Sequence, residues 1–149
     1  MIIGVPKEIK NNENRVGLTP SSVKLLSELG HSIFIESQAG DAIGFSDDLY
    51  LSSGATIIQN VEEVYTSSEL IIKVKEPVDG EFQYLRQGLC LFTYLHLAGN
   101  LPQAKKLLET GVTGIAYETV TAIDGSLPLL APMSAIAGQL SMVVGSYHL

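Results

Sequence analysis

Short runs of β-branched and aliphatic residues alternate along this chain with stretches whose apolar positions recur every three or four residues. Residues 2–5 (IIGV) predict a first strand. Thr19-Pro20-Ser21 then opens a helix, because a threonine side chain can accept from the free N–H groups and proline suits the first helical position. Val23, Leu25, Leu26 and Leu29 supply its apolar face, and Gly30 stops it. Residues 31–36 (HSIFIE) alternate as a strand. Residues 47–53 predict a short helix ended by Gly54, 55–58 a strand, 61–66 a helix and 70–74 a strand. Residues 89–95 predict a buried strand, 102–110 a helix ended by Gly111, and 113–117 a further strand. Alternation at this spacing implies βαβ units. The expected fold class is therefore α/β: a doubly wound, mostly parallel sheet in a three-layer, flavodoxin-like or Rossmann-like arrangement.

The last segment breaks the alternation. Residues 131–149 carry one long helical pattern with Pro132 near its start, and it is still running at the last residue. The expected organisation is one domain over 1–131 and a long helix over 132–149. Met133, Ile136, Ala137, Leu140, Val143, Val144 and Tyr147 form an apolar stripe, flanked by the small residues Ser134, Gly138, Ser141 and Gly145. A helix apolar nearly all round needs partners on more than one side, so self-association is expected.

Composition narrows the function classes. The 149 residues suffice for one domain with a real core, and 46% hydrophobic against 17% charged residues reads as globular. Nine Lys and Arg against 16 Asp and Glu give a net charge of −7, which offers no footprint for nucleic acid or an anionic membrane surface. The single cysteine, Cys90 in the run LCLF, rules out a disulfide within the chain and reads as a small buried hydrophobe. No signal peptide is evident, and no apolar run approaches the ~20 residues that cross a bilayer. The expected location is the cytoplasm. His31, His96 and His148 are too dispersed for a local metal pair, so no metal is expected.

In a doubly wound sheet, ligands sit outside the carboxyl ends of the strands. After the first strand come Lys7, Glu8, Glu13 and Arg15. Lys75 follows the strand at 70–74, Tyr94 and His96 close the strand at 89–95, and Glu118 follows the last. Two fixed cations and one imidazole suit a small carboxylate: guanidinium and ammonium hold the anion, and histidine transfers a proton near neutral pH. From spacing alone each also has a plain structural reading. Arg15 is then a solvated loop residue, Lys75 snorkels out of the core, and His96 is a hydrogen-bonded structural histidine. A dinucleotide fingerprint, G-x-G-x-x-G between strand and helix, is missing, so tight NAD binding by this chain alone is not expected.

These residues resemble the N-terminal domain shared by alanine dehydrogenases and the alpha subunit of proton-translocating NAD(P) transhydrogenases. The resemblance rests on Ile3-Gly4-Val5-Pro6-Lys7-Glu8 leading into Asn14-Arg15-Val16-Gly17-Leu18-Thr19-Pro20, then on residues 40–45 (GDAIGF) and Gly54-Ala55. Residues 73–77 (KVKEP), 93–98 (TYLHLA) and 127–134 (LPLLAPMS) favour the alanine dehydrogenase side, because the transhydrogenase relative is expected to lack Lys75 and His96 together.

The resemblance implies a substrate-binding domain of an NAD-dependent enzyme that converts L-alanine to pyruvate and ammonia. It implies that Arg15 and Lys75 bind the carboxylate and keto oxygen of pyruvate, that Lys75 and His96 are the catalytic candidates with His96 the acid/base, and that Tyr94 shapes the pocket. Met133 and Ser134 are placed where nicotinamide docks. Such enzymes are expected to continue into a Rossmann domain with a catalytic aspartate and to work as homo-oligomers. On that comparison the chain is expected to be a truncation or a split subunit, inactive alone. A stand-alone module binding a small keto or amino acid, and a transhydrogenase alpha-subunit domain, are the competing readings.

Overall fold

A computed structural model describes residues 1–148. Leu149, the last residue of the expected C-terminal helix, lies outside the described residues. The elements run β1 (Ile2–Val5), α1 (Pro20–Glu28), β2 (Ser32–Glu36), α2 (Asp47–Ser52), β3 (Thr56–Ile58), α3 (Val61–Ser67) and β4 (Leu70–Ile72). They continue with β5 (Cys90–Thr93), α4 (Leu101–Thr110), β6 (Thr113–Ala116) and α5 (Ala131–His148). Thr19 caps α1 by accepting from the Ser22 N–H, with Pro20 at the first helical position, and Asn100 caps α4 through the Gln103 N–H.

All six strands are parallel, in the order β3-β2-β1-β4-β5-β6. The chain winds outward from β1 through β3, then returns to β1's other side to start β4. The topological switch therefore falls between β1 and β4, where Gly4 stands beside Ile71.

Strand alternation sends successive side chains to opposite faces. Ile3, Val5, Ile33, Ile35 and Ile72 join Val23 of α1 and Tyr50 of α2 in one buried cluster. Ile71, Leu89 and Leu91 join Val64 and Tyr65 of α3 and Leu107 of α4 in the other. Helices thus cover both faces. A Cβ at Gly4 would collide with Ser68 Oγ and come within 3.0 Å of Val64 Cγ1, so the missing side chain lets α3 lie close on β1.

Three strands stop earlier than the apolar runs predict, at Ile72, Thr93 and Ala116. Beyond Ile72 the Val74 and Lys75 N–H groups turn to the Glu8 carboxylate, at 2.6 and 3.2 Å. Beyond Thr93 the Leu95 and His96 N–H groups turn to Glu118. The β4–β5 ladder keeps two more bonds, from the Lys73 N–H to the Phe92 carbonyl and from the Tyr94 N–H to the Val74 carbonyl, at 3.1 and 3.3 Å, and side-chain carboxylates take the amides that follow. Cys90 is half-buried, on the face of β5 that it shares with the half-buried Phe92, so the expectation of a buried hydrophobe is corrected.

Beneath the switch lies a buried charge network. The Lys73 side chain is fully buried, with Nζ 2.7 Å from Glu81 Oε1 and 3.3 Å from Glu8 Oε2. Glu81 also accepts from the Tyr65 hydroxyl at 2.8 Å and from the Val78 N–H at 2.9 Å. Burial, reinforced by the Glu81 charge, pushes the Tyr65 phenol well above its ordinary value, so Tyr65 stays a donor.

The long helix α5 behaves differently. Among its described residues only Met133 is half-buried, and all the others are exposed. Among the described residues, no helix is long and apolar enough to cross a membrane.

Removing the cation from the buried network strands two carboxylates away from water. Lys73→Met should therefore lower the unfolding free energy by about 3–5 kcal/mol, measured by urea denaturation. A loss below about 1 kcal/mol would mean that the carboxylates find other partners or water.

Candidate functional site

The loop of residues 6–19 carries the chain from the end of β1 to α1. It presses against the end of β4 at Gly17, where a Cβ would sit 2.5 Å from the Ile72 carbonyl oxygen. Only glycine allows that approach, and it sets the neighbouring Arg15 at the rim of a cavity of about 540 Å³. Phe45, Ile72, Phe92, Tyr94 and Met133 are among the lining side chains. The cavity is apolar inside with its charge at the rim.

Arg15 is not loose. Its Nε donates to Glu13 Oε1 at 2.8 Å and its Nη2 to Glu13 Oε2 at 2.6 Å, while its backbone N–H reaches Oε1 at 3.0 Å. The Arg15 hydrogen bond holds the Glu13 carboxyl below its ordinary value against the opposing effect of burial, and Glu13 in turn raises the guanidinium. One edge of the fork is thereby fixed, and Nη1 lies 3.8 Å from Met133 Sδ. Arg15 keeps donors for a second anion.

Lys75 follows β4 and is held through its backbone. Glu8 accepts its N–H, and its carbonyl accepts from Thr93 Oγ1 at 2.8 Å. Its Nζ lies 3.4 Å from His96 Nε2. An ammonium can only donate, so this contact requires a lone pair on Nε2 and places the proton of a neutral His96 on Nδ1. Lys75 Nζ is also 3.8 Å from Glu76 Oε2.

His96 leaves β5 in the left-handed region, with φ 50°. Its ring stacks on Tyr94 at a centroid distance of 5.9 Å and 15° between planes. The Tyr94 hydroxyl donates to the Leu129 carbonyl at 2.7 Å, which ties the segment before α5 to the site and carries Met133 to Arg15. Tyr117 packs edge-on against both Phe92 and Tyr94, and burial, then the Tyr94 charge, raises its phenol.

The structure thus brings Lys75, His96 and Tyr94 into contact and sets Arg15 with Tyr94 and Met133 around one cavity. Ser134 lies apart, exposed on the first turn of α5 and outside that cavity's lining. The supporting carboxylates Glu8, Glu13 and Glu118 follow strands or lie in the same loop, but spacing does not reveal their bonds. The nearest sequence signal is an acidic residue two before Arg15.

The residues present do not build a dinucleotide cradle. A pyrophosphate site needs a tight glycine turn from the first strand into a helix N-terminus. Here the loop of residues 6–19 separates β1 from α1, and Thr19 takes the Ser22 N–H at that helix's start. Among the described residues, no group of three or more His, Cys, Asp or Glu is placed to hold a metal ion.

Fold and site together define a doubly wound α/β domain with an apolar cavity rimmed by Arg15, while Lys75 and His96 meet each other outside that cavity's lining and adjoin it through Tyr94. The chain belongs to the family described as alanine dehydrogenase/PNT, N-terminal domain, whose family model matches residues 4–137. Over all 149 residues it is 52% identical to the alanine dehydrogenase of Staphylococcus saprophyticus, covering 40% of that protein. A solved L-alanine dehydrogenase matches at TM-score 0.92 and 51% identity, over 97% of this chain and 40% of the other. A transhydrogenase from Sinorhizobium meliloti matches at TM-score 0.76 and 28% identity, over 83% of this chain and 36% of the other. The chain spans 40% of the length of the curated relatives it matches.

The Glu13–Arg15 pair gives a pH prediction. A carboxyl depressed in the folded state adds stability above its unfolded value and loses it as pH falls through the lower folded value. A carbon-13 NMR titration should therefore place the Glu13 midpoint below the ordinary 4.5 and, with the Arg15→Ala substitution, at or above it. An unchanged midpoint in that variant would remove Arg15 as the cause.

Proposed function

We propose that this chain is the substrate-binding part of an NAD-dependent alanine dehydrogenase, which converts L-alanine, NAD+ and water to pyruvate, ammonia and NADH. The observation that carries the reading is the Lys75–His96 contact of 3.4 Å, formed beside the cavity that Arg15 rims. Identity of 51% to a solved L-alanine dehydrogenase, against 28% to the transhydrogenase, supports that side of the family. Residues 1–131 are the substrate-binding domain, and residues 132–149 lead out of it.

Arg15 takes the substrate carboxylate through the donors that Glu13 leaves free. Lys75 donates to the keto oxygen of pyruvate, which draws electron density from the carbon that is reduced in the reverse direction. His96 passes the proton between substrate and solvent, and Tyr94 fixes the ring that does so. NAD supplies the hydride chemistry and is held mainly by parts of the enzyme outside this chain, with Met133 and Ser134 at the edge where nicotinamide docks. Holding carboxylate and carbonyl at two fixed cations orients the reacting carbon, and such positioning is a large part of the barrier reduction.

The reading is tested in a full-length enzyme carrying this sequence at its N-terminus, by steady-state kinetics with pyruvate, ammonia and NADH. His96→Ala should lower kcat by about 10²–10⁴-fold. Arg15→Lys should also impair the reaction, because an ammonium cannot reproduce the planar fork. Rates within about twofold of the parent for either variant would count against its assigned role.

The same reading makes the protein a homo-oligomer. Leu140, Val143 and Val144 of α5 are 56%, 67% and 54% exposed. Leaving them in water forgoes ~25 cal/mol per Å² of apolar area, so a partner is favoured. Light scattering of this chain at tens of micromolar should show a dimer or larger species, and a stable monomer would overturn the expectation.

A further inference from the structure

The turn that carries His96 depends on a side chain to which the proposed chemistry gives no role. Past Thr93 the edge strand β6 no longer offers a ladder, because it ends at Ala116 and turns into the short helical turn Tyr117–Thr119. Two amides at the end of β5 are left facing that gap. Glu118 fills it: Oε1 lies 2.6 Å from the His96 nitrogen and 3.1 Å from the Leu95 nitrogen, and Oε2 lies 3.3 Å from the latter. Hydrogen bonds to a charged acceptor are stronger than ladder bonds between neutral groups.

The clamp grips a backbone that does not hold itself. His96 sits at φ 50°, ψ 34°, a conformation that L residues rarely adopt outside glycine, asparagine and aspartate. Such conformations persist where surrounding bonds over-determine them. On the far side, the Gly99 N–H donates to the His96 carbonyl at 3.1 Å, so both flanking peptides are fixed. Glu118 itself is steadied by its neighbour, since the Tyr117 ring packs edge-on against Phe92 at 4.3 Å and Tyr94 at 5.0 Å. With the backbone direction set, the imidazole has a defined exit. It lies flat against Tyr94 and points Nε2 at Lys75. An extended residue 96 would send the ring elsewhere.

We propose that Glu118 is a positioning residue: by clamping the Leu95 and His96 amides it fixes the left-handed turn that aims the His96 imidazole at Lys75 and the substrate. The inference rests on the reading of His96 as the acid/base. It assigns Glu118 no contact with substrate and no proton transfer.

Kinetics and NMR on the full-length enzyme test it together. Glu118→Ala should lower kcat by about 10- to 100-fold while the KM for pyruvate changes little, because a small misplacement of a reacting group costs turnover before it costs binding. Glu118→Gln keeps one acceptor oxygen and the side-chain shape, so it should retain most of the activity and serves as the second variant if Ala folds poorly. In a His96→Ala background, Glu118→Ala should cause no further loss, since residues that act as one unit are not additive. Independently of turnover, the His96 ring protons report the Tyr94 stack. In Glu118→Ala they should move towards the shifts seen when Tyr94→Leu removes the stack. Unmoved ring shifts, an unchanged kcat, or an equal loss in the His96→Ala background would each overturn the proposal. If His96→Ala itself leaves kcat unchanged while the ring shifts still respond to Glu118→Ala, the acid/base reading fails and the clamp stands.

Discussion

Lys73 places a full positive charge where no water reaches it, and the fold around the switch point is arranged to meet that charge. Its ammonium lies between Glu8, just past β1, and Glu81, in the connection that leads from β4 to β5. The Tyr65 hydroxyl of α3 and the Val78 N–H also donate to Glu81. Sheet, crossover helix and connecting loop are thus tied at one point by groups that cannot be left unpaired in a dry interior. Such a network adds little net stability over a well-packed apolar core, but breaking it by halves is costly. Its use here is geometric. Glu8 has two oxygens: one faces Lys73, and the other accepts the Val74 and Lys75 amides. The buried charge therefore fixes the backbone from which Lys75 reaches His96.

The same device appears one strand further on. A parallel strand that continued past Thr93 would keep its amides in the ladder and its side chains in strict alternation. Glu118 takes the Leu95 and His96 amides instead, and the chain turns. In both places a carboxylate takes the amides just past a strand's carboxyl edge, and the basic side chains that follow, Lys75 and His96, meet at 3.4 Å. Glu13 completes the pattern by bracing the third basic group, Arg15, from the side away from the cavity. Three acids thus brace three basic residues: Glu8 through the Lys75 amide, Glu118 through the His96 amide and Glu13 through the Arg15 guanidinium.

The order of strands and helices was legible because the elements carry their own periods and their own signals, a start at Thr19 with Pro20 and stops at Gly30, Gly54 and Gly111. The candidate basic residues were legible because they follow strands. What was not legible is which residues hold them. Lys73 and Lys75 stand two apart, so a strand running to 74 would put both on one face. Because β4 ends at Ile72, alternation stops applying, and Lys73 turns into the core while Lys75 turns to His96. The boundary depends on Glu8, 65 residues from Lys73 in sequence, and no local pattern encodes that pairing. Cys90 was misread for a related reason: the run LCLF is apolar throughout, yet only one face of β5 is fully covered.

The strand order 3-2-1-4-5-6 is the one that dinucleotide-binding domains use, yet the site here is of another kind. The rule behind both is that the switch point leaves a crevice between loops that diverge from neighbouring strands. What fills it depends on the first loop. A short glycine turn would bring a helix N-terminus to the crevice and offer amides to a phosphate. The loop of residues 6–19 moves α1 away and caps it with Thr19, then brings side-chain charge in place of backbone dipoles. A guanidinium and an ammonium suit a small carboxylate better than a diphosphate chain, since they act as two separate points and not as a continuous cradle. On this scaffold a long first loop, set by Gly17 against Ile72, places side chains where a short glycine turn would place backbone amides.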